Sequence, residues 1–291
     1  MDYLMLLGAT VLLAVNFSIN KAYQKLNGSS PKSVFAFNSL LGLFTAIIFF
    51  AFGGFKFEFS LFSFIMAALM NTFVMCYNLF GFKLLKNGSM ALYTLFLMTG
   101  GMTLPYLFGL IFLNEPFSWL KTVGLIIILS GVVLSNLGTK KINVSILLMC
   151  VAVFFLNGLT SITSKLHQIN DTFFCVNTTQ FVILGGLFNF LISGILFLAT
   201  KKENVDQLQD DKKTKLISVI LTVASAIISG VSSILQLLGA AKLPATLLYP
   251  FITGGTIIFS SIAGVLIFKD KISKKLIISV ILCLMGTLLF L

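Results

Sequence analysis

Long apolar segments recur along the whole chain, and short polar connections separate them. Each segment is about 20 residues long, the length that an α-helix needs to cross roughly 30 Å of hydrocarbon. A helix satisfies its own backbone hydrogen bonds, whereas an irregular chain cannot do so in lipid. The pattern therefore predicts an all-α, polytopic membrane protein with ten transmembrane helices, at residues 3–23, 34–53, 60–82, 89–113, 117–137, 143–166, 173–199, 215–241, 245–267 and 274–291.

The composition agrees with a membrane protein. Of the 291 residues, 58% are hydrophobic and only 10% are charged, and the mean hydropathy is +1.05. A soluble domain would need far more charge to cover its surface. The first apolar segment is too long and too rich in Asn and Lys for a cleaved signal peptide, and no small-residue cleavage site follows it. We therefore expect a multi-pass protein of the plasma membrane, with the lipid bilayer as its surroundings.

The net charge of +11 does not indicate nucleic-acid binding, because the lysines are dispersed among short connections. The longest connection, residues 201–213, is expected to be a solvated linker, with partner binding as the alternative. The four cysteines stand singly without metal-ligand spacing, so we expect reduced thiols that pack in the core. No cofactor and no metal site are expected.

The second half of the chain repeats the first. The clearest matching segments, at offsets of 154 and 155 residues, are 98–101 with 252–255 and 109–134 with 264–289. A looser match pairs residues 16–21 with 160–165. The two repeats, 1–139 and 140–291, hold five spans each, and because five is odd the second must cross the membrane in the opposite sense. Inverted repeats of this kind recur in secondary transporters, with the substrate site at the repeat interface.

Three motifs resemble the EamA-like family of the drug/metabolite transporter superfamily. The segment NFSINK, residues 16–21, is similar to the first-helix signature W-G-x-N-F-x-x-x-K, although Leu13 and Ala14 replace the Trp-Gly pair. The segment LLKNGSMALYTLF, residues 84–96, is similar to the family's A-L-x-x-x-S/A-A pattern. Further along, LIFLNEPFSWLKTVGLIIILSGVVL resembles the rest of the family's third-to-fifth-helix pattern, G-E-x-L-S followed by G-x-x-L-I-x-x-G-V. Its fixed points fall on Glu115, Gly124 and Gly131, with Asn114 in place of the usual Gly.

The resemblance covers essentially the whole chain and implies a fold and a class of function. The implied fold has ten helices, in two inverted five-helix repeats around a central cavity that helices one, three, four, six, eight and nine mainly line. Members of the family move small metabolites such as amino acids, sugars, nucleobases and drugs. We therefore expect a small-molecule substrate and a chain that is a monomer or a weak homodimer.

Polar side chains inside the predicted spans are the candidates for the substrate site. An amide or hydroxyl in hydrocarbon is costly unless it pairs or meets water. Interhelical hydrogen bonding is the alternative for the amides, and a packing role is favoured for the serine row 225, 229 and 233. The predicted substrate-binding residues are Asn16, Asn20, Asn71, Asn78, Tyr93, Thr99, Asn157, Ser161, Gln236, Tyr249 and Thr253.

Spans four and nine also carry prolines and glycine pairs. Pro250 lies between Tyr249 and Thr253, and Gly254 and Gly255 follow. One interpretation is that both spans are bent and unwound at the bilayer centre and present hydroxyls and free carbonyls to a substrate. In that interpretation, Tyr249 and Thr253 face their counterparts on span four across the two-fold axis. The alternative is that the glycines let helices cross closely.

None of the nine acidic residues falls at the centre of a predicted span. The sequence therefore does not favour a proton-coupled antiporter of organic cations that relies on a buried carboxylate. Glu115 and its counterpart Asp270 are expected to mark helix starts, where acids meet the positive end of the dipole. Lys21 and Lys165 match each other in the two repeats, and snorkelling to the interface is favoured over anion binding.

Catalysis is not expected, because His167 is the single histidine and the acids lie in the connections. The sequence predicts a permease or exporter of a small neutral or zwitterionic metabolite, such as an amino acid. The alternatives are a sugar or nucleoside carrier of the same superfamily and a non-transporting membrane assembly factor. Of the 20 lysines, sixteen lie in connections after odd-numbered spans, which predicts both termini outside. The family resemblance implies both termini inside.

Overall fold

The described part of the chain is helical throughout. The structure, a computed structural model, describes residues 2–28, 30–86, 90–136, 144–200, 212–269 and 274–290. Over these residues there is no strand. The helices are α1 (Asp2–Asn27), α2 (Pro31–Phe52), α3 (Leu61–Lys86), α4 (Met90–Phe112), α5 (Trp119–Asn136), α6 (Val144–Ile169), α7 (Thr178–Ala199), α8 (Lys212–Lys242), α9 (Ala245–Phe268) and α10 (Lys274–Leu288).

Eight of these helices, all except α5 and α10, are long and apolar enough to cross a membrane. Large apolar side chains cover their outer faces; Phe52, Leu198 and Leu266, for example, are each more than 70% exposed. So much exposed apolar surface suits a lipid environment and not water. The prediction of an all-helical, multi-pass membrane protein is confirmed at this level.

The predicted spans and the observed helices correspond one to one in the described residues, and their ends differ by a few residues. The largest difference is at the start of α7, which was expected at residue 173. Phe173 and Phe174 are apolar but lie in the connection, where Phe173 stacks on Phe62. The helix begins only after Asn177, whose side chain caps it by accepting a hydrogen bond from the Gln180 N–H at 2.9 Å.

Helices of the first half pack mainly on helices of the second half. The main pairs are α2 with α7, α1 with α8 and α9, α6 with α3 and α4, α5 with α10, and α4 with α9. The two halves are therefore interleaved in one bundle. This interleaving places α2, α3, α6, α7, α8 and α9 around a common space.

The α2–α7 crossing depends on two glycines. A Cβ atom at Gly42 would lie 2.6 Å from the carbonyl oxygen of Gly186, and one at Gly186 would lie 2.8 Å from that of Gly42. No side chain fits between the two backbones, so this is a direct contact of the kind that small residues permit in membranes. Two hydrogen bonds to backbone carbonyls accompany it, from Asn189 Nδ2 to Asn38 at 3.1 Å and from Ser39 Oγ to Phe190 at 3.2 Å.

Helices α4 and α9 run unbroken through their prolines and glycine pairs. The expectation that they are unwound there is therefore wrong. The glycines serve close packing instead: Gly100 lies against the backbone of Phe154 on α6, and Gly254 against Thr287 on α10. A Cβ atom at Gly255 would lie 3.0 Å from Thr10 on α1.

Candidate functional site

A cavity of about 340 Å³ lies between α2, α3, α6, α7, α8 and α9. Its volume is in the range of small-molecule sites, and its wall is mostly apolar with a limited set of polar groups. The wall consists of Leu41, Gly42, Thr45, Met70, Asn71, Thr160, Ser161, Ser164, Phe181, Val182, Gly185, Gly186, Asn189, Ser229, Gly230, Ser233, Gln236, Leu237 and Tyr249.

Helices α6, α8 and α9 supply most of the hydroxyl groups of the wall. Tyr249 is the contribution of α9, and its hydroxyl donates to the Ser161 carbonyl oxygen of α6 at 2.6 Å. This bond holds α9 against α6 beside the cavity. On α8, Ser229 and Ser233 lie one turn apart and Gln236 follows on the same face, as i, i+3 and i+4 spacing requires.

Helices α2, α3 and α7 form the opposite part of the wall. Asn71 Nδ2 donates to the Ala67 carbonyl oxygen of its own helix at 2.8 Å. The Thr45 hydroxyl is buried and has no hydrogen-bond partner among the described residues. Thr45 lies one turn beyond Gly42 and is part of the cavity wall.

The polar groups of the described wall carry no formal charge. Tyr249 is the one wall residue with an ionisable side chain. Behind the wall, the His167 ring stacks on Phe181 at 3.8 Å and its Nε2 atom lies 2.8 Å from Ser63 Oγ. A ligand group of either charge would therefore meet only neutral hydrogen-bonding groups on the described wall.

Four of the eleven predicted site residues meet at this cavity: Asn71, Ser161, Gln236 and Tyr249. The other seven are not part of its described wall: Asn16, Asn20, Asn78, Tyr93, Thr99, Asn157 and Thr253. Most of those seven make hydrogen bonds within or between helices, which was the alternative interpretation.

Three of these amides join helices. Ser225 Oγ of α8 contacts Asn16 Oδ1 at 2.5 Å and Asn20 Oδ1 at 3.1 Å on α1. Asn157 Nδ2 of α6 donates to the Leu97 carbonyl oxygen of α4 at 2.6 Å. Each bond satisfies a polar group that would otherwise be costly in hydrocarbon.

The predicted counterparts on span four do not face Tyr249 across the cavity. The Tyr93 hydroxyl donates to Asn78 Oδ1 on α3 at 3.3 Å, and Thr99 Oγ1 donates to the Leu95 carbonyl oxygen of its own helix at 2.8 Å. Thr253 is half-buried on α9, outside the described wall. The expected pairing of Tyr249 and Thr253 with Tyr93 and Thr99 at one site is therefore not observed.

Sequence reasoning missed the contribution of α2 and α7. Thr45 and Asn189 line the cavity, although the family resemblance implied a lining from the first and fourth helices. Asn189 is an amide inside an apolar span, which is a signal of function by itself. The three serines of the row on α8 have different surroundings. Ser225 packs against α1, as favoured, whereas Ser229 and Ser233 line the cavity.

The Lys165 side chain caps the C-terminal end of α8 and does not snorkel to the interface. Its side chain is 5% exposed, and Nζ donates to the carbonyl oxygens of Ala240 at 2.7 Å and Leu243 at 2.6 Å. The Ala240 carbonyl would ordinarily accept from the residue four positions on, but that residue is Pro244, which has no N–H. The lysine amine replaces the missing donor, so the snorkelling expectation is wrong for Lys165.

Glu115 caps α9 and not the helix that follows it in sequence. Its carboxylate accepts the N–H of Ala245 at 2.6 Å and of Thr246 at 2.8 Å. These are the first free donors of α9, and Pro244 offers them no side-chain cap. As expected, Glu115 lies at the positive end of a helix dipole, but the helix is α9 and not α5. Asp270 lies outside the described residues.

Asn114 explains how Glu115 reaches α9. Its φ angle of 51° is in the left-handed region, which glycine and asparagine tolerate best. The resemblance to the EamA-like family implies a glycine at this position. The left-handed residue turns the chain after α4, and the Glu115 N–H then bonds to the Gly109 carbonyl oxygen at 3.0 Å.

We expect Glu115→Gln to lower the melting temperature of the protein in detergent. Glutamine retains one acceptor oxygen, but its amide nitrogen faces the second N–H of α9. Leaving that buried donor unpaired costs about 1–3 kcal/mol. The control is Glu58→Gln, at an exposed position. Equal melting temperatures for the two variants would show that the cap contributes nothing.

No protein-family model matches the sequence, and no curated protein matches it either. The structure is similar to a solved structure described only as "Crystal structure of protein", with a TM-score of 0.75. The two sequences are 16% identical, and the match covers 99% of this chain and 95% of the other. At this identity the similarity shows a shared fold and nothing about activity.

Proposed function

We propose that this chain is a secondary transporter of the EamA-like type, which moves a small neutral or zwitterionic metabolite, such as an amino acid, by alternating access. The observation that carries this proposal is the cavity between six helices, whose mostly apolar wall carries a limited set of uncharged hydroxyls and amides. Polar groups in hydrocarbon are expensive unless they serve function or pairing. A mostly apolar wall with a few hydroxyls and amides suits a space that exchanges water for a small solute.

The packing of the helices supports an inverted repeat. Each helix has a counterpart at the same position in the other half: α1 and α6, α2 and α7, and so on. If every helix is exchanged for its counterpart, the α1–α8 pair becomes the α6–α3 pair, and both pairs are extensive. Likewise α4 on α6 becomes α9 on α1, and α2 on α8 becomes α7 on α3. The pairs α2–α7, α5–α10 and α4–α9 map onto themselves. This is the pattern of two five-helix units related by a two-fold axis.

The crossing of α5 and α10 supports the same symmetry at the level of residues. A Cβ atom at Gly286 would lie 2.7 Å from the carbonyl oxygen of Gly124. The residues 155 positions from this pair are Gly131 and Ser279, and they also meet, since Ser279 Oγ donates to the Gly131 carbonyl oxygen at 2.7 Å. Gly42 and Gly186 are 144 positions apart, as are Lys21 and Lys165.

The two halves differ where alternating access requires a difference. At the offset of 144 residues, Asn16 and Asn20 of α1 correspond to Thr160 and Ser164 of α6. The first pair is packed against Ser225, whereas the second pair lines the cavity. The α1 positions are thus packed, whereas their counterparts on α6 border the cavity. Rocking of one repeat against the other would exchange the two arrangements.

Exchange measurements in proteoliposomes test this function. Purified protein is reconstituted into vesicles loaded with unlabelled amino acids, sugars or nucleosides, and uptake of the labelled compound of the same class is followed. We expect saturable exchange for one class, amino acids being the first choice and sugars or nucleosides the alternative. Vesicles without protein are the control. Folded, inserted protein that exchanges none of the three classes would contradict the proposal and favour an assembly role.

A further inference from the structure

Several hydrogen-bond donors of the cavity wall are used by the protein itself. The Tyr249 hydroxyl donates to Ser161 O at 2.6 Å, and Thr160 Oγ1 donates to Leu156 O at 2.9 Å. The Asn71 amide nitrogen bonds to Ala67 O at 2.8 Å. A hydroxyl has one proton and two lone pairs, so each of these oxygens keeps acceptor capacity but no free donor.

The hydrogen-bond partners of Asn71 and Gln236 determine how their side-chain amides are oriented. A backbone carbonyl can only accept, so the NH₂ group of Asn71 must face Ala67 O and its Oδ1 atom is left over. Ser232 Oγ donates its single proton to Ala9 O at 3.0 Å, so it can only accept from Gln236 Nε2 at 3.2 Å. Among the described residues, no donor reaches Asn71 Oδ1 or Gln236 Oε1.

The cavity therefore offers a ligand the free amide oxygens of Asn71 and Gln236, and its described wall carries no cation. The described wall has no lysine to meet a carboxylate, and the sequence has no arginine. The two charges at the nearby α8–α9 connection, Lys165 and Glu115, are of opposite sign and bind backbone groups there.

We propose that the cavity binds its substrate through a primary ammonium group, held by Asn71 Oδ1, Gln236 Oε1 and the hydroxyl oxygens of the wall. An ammonium has three N–H donors and no acceptor, which complements the free atoms of this site. Hydrogen bonds from a charged donor are also the stronger kind. The carbon skeleton of the substrate lies against Phe181 and Leu237, and a carboxylate is not recognised.

This inference rests on the proposed transport function and names the chemical group of the substrate that the transport site recognises. The test uses four probes of matched length: n-pentylamine, 1-pentanol, hexanoate and pentyltrimethylammonium. Calorimetric titrations are made on the protein in nanodiscs, with empty nanodiscs subtracted. We expect the dissociation constant of n-pentylamine to be lower than those of the other three by about tenfold or more, because only this probe brings charged N–H donors.

Two variants and one control link the affinity to the named atoms. Asn71→Leu and Gln236→Met each remove an acceptor, and each should raise the dissociation constant of n-pentylamine by about tenfold. The affinity for 1-pentanol should change much less. The control is Thr72→Val, next to Asn71 but on the exposed face of α3. The melting temperature of each variant shows whether it still folds.

The outcomes separate the inference from the proposed function. Binding of hexanoate, 1-pentanol or pentyltrimethylammonium as tightly as n-pentylamine overturns the ammonium inference. If metabolite exchange in vesicles is nevertheless observed, the transport proposal stands without it. If no probe binds and no metabolite class exchanges, both are wrong. An amine preference that survives in Asn71→Leu and Gln236→Met overturns the assignment to these atoms.

Discussion

Gly186→Ala should destabilise the protein strongly, although it adds a single methyl group. The new Cβ atom would lie 2.8 Å from the Gly42 carbonyl oxygen and 3.0 Å from the Ala46 backbone nitrogen. Backbone atoms of a packed helix cannot move aside as a flexible side chain can, so α2 and α7 must separate. Overpacking of this kind costs about 1–3 kcal/mol, and the melting temperature should fall by about 5 °C.

The neighbouring glycine provides the matched control for this result. A Cβ atom at Gly185 would have Asn71 Nδ2 at 3.7 Å as its nearest neighbour, which is an ordinary contact. Gly185→Ala should therefore leave the melting temperature unchanged or raise it slightly, since alanine favours the helix over glycine. Thermal unfolding of both variants in the same detergent is the measurement. A similar loss in both would show that the α2–α7 contact is not decisive.

The helices could be predicted from the sequence because lipid imposes a length. A run of about 20 apolar residues is a sufficient signal for a spanning helix, and each run corresponds to a helix in the described residues. The prediction was less accurate where a local interaction overrides hydrophobicity. Phe173 is apolar but stacks on Phe62 in a connection, and the cap of Asn177 sets the start of α7.

The site could be predicted only in part, because sequence does not distinguish a polar group in a cavity from one between helices. Asn71 and Asn78 are seven residues apart on one face of α3. In the structure Asn71 lines the cavity, while Asn78 accepts from Tyr93. The difference depends on which helix lies opposite, and that is a property of the tertiary packing.

The partners of two charged residues, Lys165 and Glu115, could not be predicted from the sequence either. Lys165 was expected to reach the interface, as a lysine near a helix end usually does. Its amine instead bonds to carbonyl oxygens of the α8–α9 connection, because Pro244 leaves one of them without a donor. Nothing near Lys165 in the sequence indicates this partner. Glu115 and α9 are related in the same way, across 130 positions of the chain.

Gly185→Leu should slow transport by at least about tenfold while the protein still folds. Gly185 is in the cavity wall, and no heavy atom lies within 3.4 Å of a Cβ atom placed there. A leucine side chain at this position extends into the space of about 340 Å³ that the substrate would occupy. The melting temperature should stay near that of the unmodified protein, because the added carbon atoms fill an existing cavity and disturb no crossing.

The most direct test of the claim that this cavity is the transport site is uptake by Gly185→Leu proteoliposomes. Unmodified protein and the lipid-facing variant Thr72→Val are reconstituted at the same density as controls. We predict that Gly185→Leu inserts and melts normally but exchanges the transported metabolite at least about tenfold more slowly, since a filled site excludes the substrate. Exchange at the unmodified rate by this folded variant would show that the substrate passes elsewhere.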